Sequence, residues 1–190
     1  MDFNYRNLIP CLWIAWAAYW FIVAYNVKTT VRHETFASRL AHIGPLMIAA
    51  WLLSTKRLPL PWFYERFIPD TPLGFWIGTL LVAAGLAFAV WARVLLGRNW
   101  SGTVTLKQDH ELIRGGPYRW VRHPIYTGLL FAYLGTAIAV GQWRGLVGLV
   151  IVFVALWRKL RMEERWLGEV FGVAYDEYRA QVRALIPFLL

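Results

Sequence analysis

Five uncharged, apolar stretches alternate with polar connections along the chain, at residues 8–25, 40–55, 75–92, 124–141 and 145–157. A helix needs roughly 20 apolar residues to cross a bilayer, so the first run spans unaided. The second is short and recruits flanking residues, or the bilayer thins around it. The third is rich in small residues (Gly78, Ala83, Ala84, Gly85, Ala87 and Ala89), which let a neighbouring helix approach closely. The fifth covers only about 20 Å at 1.5 Å per residue. It therefore continues past the membrane surface as residues 158–183, where Leu167, Val170, Phe171, Ala174 and Tyr178 recur at helical spacing as one apolar stripe. Gly172 weakens the middle of that segment. Pro59, Pro61, Pro69 and Pro72 predict an extended loop on the membrane surface, with Trp62, Phe63 and Tyr64 dipping into the headgroup layer. The pattern predicts an all-α integral membrane protein of about five transmembrane helices, with a cytoplasmic loop and a C-terminal helix.

Composition agrees with that pattern. Of the 190 residues, 58% are hydrophobic and 16% charged, whereas a soluble domain carries about a quarter charged residues. The length suits one domain, residues 1–190: three N-terminal spans in 8–97, then a loop, a helix hairpin and a C-terminal helix in 98–190. The net charge of +9 lies between apolar runs, so anionic lipid headgroups are the partner it predicts, and not nucleic acid. The single cysteine, Cys11, sits in an apolar run and reads as a buried structural thiol. The N-terminus lacks a signal-peptide pattern, and residue 8 onward reads as a retained first span. With five spans, fifteen of the twenty Lys and Arg residues fall on the side holding residues 93–122 and 158–183. The positive-inside rule makes that side cytoplasmic and the N-terminus external, in the inner membrane if the source is bacterial.

Candidate chemistry concentrates between the third and fourth spans. Residues 110–128 read HELIRGGPYRWVRHPIYTG, a basic, aromatic stretch broken by Gly115-Gly116-Pro117 and set against a hydrophobic helix. Such a mouth suits a ligand that is part anion and part apolar. Residues 107–119 predict a lid hinged at the two glycines. After the fifth run come Arg158, Lys159 and Arg161, then the adjacent acids Glu163 and Glu164. Glu163 lies on the face of Leu167 and Val170, where a carboxylate needs a cationic partner. His42, inside the second run, reads as a helix–helix hydrogen bond or a proton carrier. The sequence offers no ligand cluster for a metal, no nucleophile elbow and no phosphate-binding glycine loop.

The run Gly116-Pro-Tyr-Arg-Trp-Val-Arg-His-Pro-Ile-Tyr-Thr-Gly128, the pair Glu163-Glu164 and the later Phe171-Gly172, Tyr175 and Tyr178 resemble the isoprenylcysteine carboxyl methyltransferase family. That family is grouped with phospholipid N-methyltransferases as integral-membrane methyltransferases. The resemblance runs from about residue 96 to 187 and implies an S-adenosyl-L-methionine site, with S-adenosyl-L-homocysteine as product. His110, Leu112, Ile113, Tyr118, Arg122, His123, Pro124 and Tyr126 fall where the family lines the cofactor, with Thr105 near another contact. Glu163 falls at the acid facing the cofactor's methionine end. Lys159 stands where carboxyl methyltransferases carry an arginine for the substrate carboxylate, with Arg158 and Arg161 beside it. Arginine grips a carboxylate bidentately and lysine does not. The resemblance implies a small lipophilic acceptor arriving from the bilayer, most simply a carboxylate, which needs orientation but no base. The alternatives are a phospholipid amine, for which Glu164 is the nearest base, and a non-catalytic cofactor-binding module. Oligomeric state is not legible.

Overall fold

Each apolar run becomes a helix whose ends are set by local chemistry. The computed structural model describes residues 5–24, 30–33, 35–55, 58–100, 105–107 and 112–187. Its helices are α1 Leu8–Val23, α2 Phe36–Ser54, α3 Pro72–Leu96, α4 Pro124–Val140, α5 Trp143–Phe171 and α6 Val173–Gln181. Thr35 caps α2 and Thr71 caps α3, each hydroxyl accepting from a backbone N–H at 3.2 Å, of Ser38 and of Gly74. Each satisfies a donor that the first helical turn leaves unpaired. Pro72 and Pro124 open their helices at the position where a missing N–H is harmless. Gly141 ends α4 at φ 64° and Gly172 ends α5 at φ 51°, conformations that a side chain would strain.

α4 is the centre of the bundle, flanked by α3 and α5, while α2 packs on α5 and α1 on α3. α3 and α4 meet at their backbones. A Cβ added at Gly85 would lie 2.5 Å from the Gly128 carbonyl oxygen, and one at Gly135 would lie 2.5 Å from that of Gly78. Two glycines seven residues apart on each helix thus form the crossing, and only glycine fits there. Gly78, Gly85 and Ala89 of the small-residue run lie in this seam, whereas Ala84 and Ala87 face outward. On one side of α4, Val152, Leu156 and Leu160 of α5 pack with Ala49 and Leu185; on the other, Val82 and Leu86 of α3 pack with Ala132 and Ile9.

Three helical stretches, Tyr5–Val23, Phe36–Ser54 and Pro72–Leu96, are long and apolar enough to cross a membrane, and α4 is a shorter apolar helix. The chain is not wholly helical. β1 (Thr30–His33) pairs antiparallel with β2 (Thr105–Lys107), tying the α1–α2 connection to the α3–α4 connection on one face. At the opposite face the Phe67 N–H donates to Gly141 O at 2.9 Å and the Trp143 N–H to Glu65 O at 3.2 Å, joining the other two connections.

Several sequence expectations change here. The proline-rich connection is folded, with a 3-10 turn at Pro61–Tyr64, Phe63 buried, and the Tyr64 hydroxyl accepting from Leu58 N at 2.9 Å. Cys11 is exposed on the outer surface of α1. The expected C-terminal stripe is not one buried face: the positive φ of Gly172 turns α6 off the axis of α5, and Val170 is 46% exposed. Arg144, at the start of α5, is buried. It donates to Leu53 O at 3.1 Å and Thr55 O at 2.5 Å, closing the C-terminus of α2 with the charge its dipole favours.

Candidate functional site

The N-terminus of α4, the part of α5 beyond the apolar run, α6 and the chain after it converge on one face of the bundle. Residues 182–185 lie as a strap along the start of α4. The Arg122 N–H donates to Arg183 O at 2.8 Å and the His123 N–H to Ala184 O at 3.0 Å. The Thr127 hydroxyl donates to Leu185 O at 2.7 Å. These bonds serve the backbone just before Pro124, where helix geometry leaves polar groups unpaired. Leu185 is buried in the core, which anchors the strap.

On that frame Glu163 and Glu164 acquire different surroundings. The Arg122 guanidinium donates to Glu164 Oε1 from Nε at 2.8 Å and from Nη2 at 2.5 Å. His123 Nε2 lies 3.3 Å from the same oxygen. Burial alone would raise the Glu164 carboxyl, but hydrogen bonds and charge from His123 and Arg122 outweigh it and pull it down to about 2. Arg122 also donates to the carbonyls of Arg179, at 3.3 Å, and Val182, closing the end of α6. Glu164 and Arg122 are thus an internal ion pair with side chains 11% and 8% exposed.

Glu163, one residue earlier, is turned toward α4. Its Oε1 accepts from the Tyr126 hydroxyl at 2.6 Å and lies 3.9 Å from Lys159 Nζ, while Oε2 lies 3.7 Å from His123 Nδ1. The His123 ring stacks parallel on Tyr126 with centroids 5.5 Å apart, and so spans the two carboxylates. Lys159 Nζ stands 5.4 Å from the Tyr126 ring. The Glu163 side chain is 22% exposed, the most open of this group.

The three cations expected as one cluster do not gather. Lys159 and Arg161 are about 200° apart on a helix of 3.6 residues per turn. Only Lys159 turns inward, while Arg161 is exposed and Arg158 donates to Ser38 O and Oγ of α2, each at 3.3 Å. Lys159, four residues before Glu163, shares its face.

The remaining expected residues divide. Pro124 is buried as the first residue of α4. Tyr118 is buried, its hydroxyl 3.4 Å from Ala92 O in α3 and its carbonyl accepting from the Tyr178 hydroxyl at 2.6 Å. Burial is the main cause holding the Tyr118, Tyr175 and Tyr178 phenols above their ordinary range, with Tyr178 pushed up to about 12. All three stay neutral, and Tyr118 and Tyr178 donate to backbone carbonyls. Leu112 and Ile113 are half-buried beside this region of the chain. His110 and the rest of residues 108–111 of the predicted lid lie outside the described residues, as does the Thr105 side chain. What sequence reasoning missed is Thr127 and the strap, since nothing in the residue types of 182–185 marks them as the partner of residues 122–127.

The family model described as phospholipid methyltransferase matches residues 73–174. The chain is 34% identical over 119 residues to the protein-S-isoprenylcysteine O-methyltransferase of Saccharomyces cerevisiae, covering 60% of this chain and 48% of that protein. It is 31% identical over 120 residues to a probable protein-S-isoprenylcysteine O-methyltransferase of Oryza sativa subsp. japonica, covering 60% of this chain and 61% of that protein. It thus spans about half to three-fifths of the length of these curated relatives. The solved structure of a eukaryotic intramembrane isoprenylcysteine carboxyl methyltransferase superposes with a TM-score of 0.56 at 22% identity, over 98% of this chain and 55% of that one. At that identity the likeness is one of fold.

Proposed function

Because the chain belongs to the phospholipid methyltransferase family, we propose that it is an integral-membrane, S-adenosyl-L-methionine-dependent methyltransferase acting on a small lipophilic carboxylate. The observation that carries the carboxylate reading is the division of labour between the two acids. Glu164 is held ionised by Arg122, which unfits it as a base, while Glu163 stands open beside one inward cation, Lys159. An amine acceptor must lose a proton first, and a carboxylate need not.

The donor set suits the cofactor, whose methionine end carries an ammonium: Glu163 is an open acid, 22% exposed, that can receive it. When bound, the cofactor supplies a methyl group activated on a sulfonium. Glu163 receives the ammonium, kept in one rotamer by the Tyr126 hydroxyl and the His123 ring. Leu112 and Ile113 offer apolar surface to the remainder, and His110 stays a proposed contact. Lys159 orients the acceptor carboxylate, and the residues around it keep water away. Holding two reactants in line supplies much of the acceleration of a displacement that needs no proton transfer. Tyr118, Pro124 and Arg122 act through the frame, shaping the turn before α4, and Arg158 and Arg161 act only as long-range charge.

The family description favours a second reading, a phospholipid amine acceptor. One experiment separates the two. The protein in lipid nanodiscs is incubated with methyl-labelled cofactor and either S-farnesylcysteine or phosphatidylethanolamine. The carboxylate reading expects a base-labile methyl ester. It also expects Lys159→Met to lower kcat/KM about tenfold or more, with Arg161→Gln within about twofold, since only a charge in contact orients the acceptor. A base-stable methylamine, with Lys159→Met tolerated, replaces the proposal by the second reading. Cofactor binding without transfer to either acceptor leaves a non-catalytic module.

A further inference from the structure

α1 and α3 part where they reach the face that carries the site. α1 buries only Ile9, at its other end. Between its last turn and that of α3 lies a cavity of about 390 Å³. Its walls have two chemistries. Ile22, Val23 and Val94 are apolar, and Ile22 is 72% and Val94 62% exposed on the surface that meets lipid. The lining also carries Tyr19, Arg93 and Arg98. Arg93 donates to Val23 O at 2.9 Å and to Gly97 O at 2.7 Å, the carbonyl ends of α1 and of its own helix. Each helix end carries about half a negative charge, so Arg93 balances the two. Arg98, exposed beside them, leaves the cavity net positive.

A second observation points to a ligand. Arg93 is 4% exposed, with the Trp100 ring 4.5 Å from its guanidinium carbon, yet its Nε finds no hydrogen-bond acceptor among the described residues. A buried guanidinium with an N–H left unpaired is unfavourable, and an anionic oxygen in the cavity would stabilise it through charge. We propose that this cavity binds the phosphate headgroup of an anionic phospholipid, with its acyl chain along Ile22 and Val94, so that the lipid bridges α1 to α3. A soluble phosphate shares the charge but not the apolar wall. A zwitterionic lipid shares the wall, but its own cation offsets the phosphate.

The test is lipid binding by the purified protein in non-ionic detergent, read by native mass spectrometry. The probes are dioleoylphosphatidylglycerol, dioleoylphosphatidylcholine and inorganic phosphate as competitor. The glycerol lipid should bind about fivefold or more tightly than the choline lipid, and Arg98→Gln should erase that preference. About fivefold is the factor one cation near an anionic surface supplies. Arg98→Lys, which keeps the charge, should keep the preference, and so should Arg165→Gln, a charge removed from an exposed position elsewhere. Equal binding of the two lipids, or an Arg98→Gln protein that binds as the parent does, overturns the proposal. So does an equal loss in Arg165→Gln, which would reveal only bulk charge. Displacement of the lipid by inorganic phosphate assigns the cavity to a soluble anion instead.

Discussion

Glu163 and Glu164 are adjacent in sequence and opposite in role, and the difference comes from neighbours that no local pattern names. Glu164→Gln removes the partner of a buried guanidinium, which should cost about 3–5 kcal/mol of stability. Nothing local in the sequence announces this pair, because Arg122 stands 42 residues away. The pH dependence carries a definite sign. The Glu164 carboxyl, ordinarily at 4.5, is lowered to about 2 in the fold. Its contribution is therefore fully present above pH 4.5 and is lost as pH falls from there toward 2. Allowing for solvent screening, the loss is about 1–2 kcal/mol. Melting curves in detergent across that window should fall more steeply for the parent than for Glu164→Gln; parallel curves would remove the ion pair from the account. Glu163→Gln should do the reverse. Its fold should survive while affinity for S-adenosyl-L-homocysteine drops by about 2–5 kcal/mol, as for loss of one buried ionic contact. Calorimetry finding unchanged affinity would take Glu163 out of the site.

At the scale of helices, much was legible in the apolar runs, because a span must satisfy its own backbone and so can only be a helix. The ends of α4 and the break at Gly172 were readable from proline and glycine, residues whose backbone limits are intrinsic. The pairing of β1 with β2 was not, since its partners lie more than 70 residues apart and neither strand alternates clearly. Nor were the buried arginines. Arg93 and Arg144 each close the C-terminus of another helix, a role fixed only by packing. The glycine seam was half legible: small residues announced a close contact, but not which of them made it. Gly85→Ala puts a methyl against the Gly128 carbonyl and should cost about 1–3 kcal/mol by overpacking. Gly44→Ala, with nothing within 4 Å of the added methyl, should instead be neutral or gain about 0.5–1 kcal/mol from helix propensity. Equal melting temperatures for the two variants would mean that α3 and α4 do not touch along this line.

For the whole molecule, the two sets of connections decide the topology. The β1–β2 ladder holds the α1–α2 and α3–α4 connections on one face. The bonds among Glu65, Phe67, Gly141 and Trp143 hold the α2–α3 and α4–α5 connections on the other, where Arg6 also meets Asp70 at 3.2 Å. Successive helices therefore alternate in direction, and five crossings follow if α4 and the first half of α5 share the bilayer with the three longer helices. α4 is short for this, but it is wrapped by α3 and α5, so its lipid contact is limited. The direction of the whole is then set by charge. The face with the site carries Arg93, Arg98, Arg122 and the cations of the second half of α5 and of α6, and basic residues are retained on the cytoplasmic side. We expect Asp70→Cys, made in a Cys11→Ser background, to react with a membrane-impermeant maleimide on intact cells. Arg165→Cys should react only after the cells are permeabilised. The opposite result would invert the protein in the membrane and deny the site its supply of a soluble cofactor from the cytoplasm. Labelling of both positions from outside would mean an even number of crossings between them, and with α3 crossing, one of α4 and α5 would then lie outside the bilayer core.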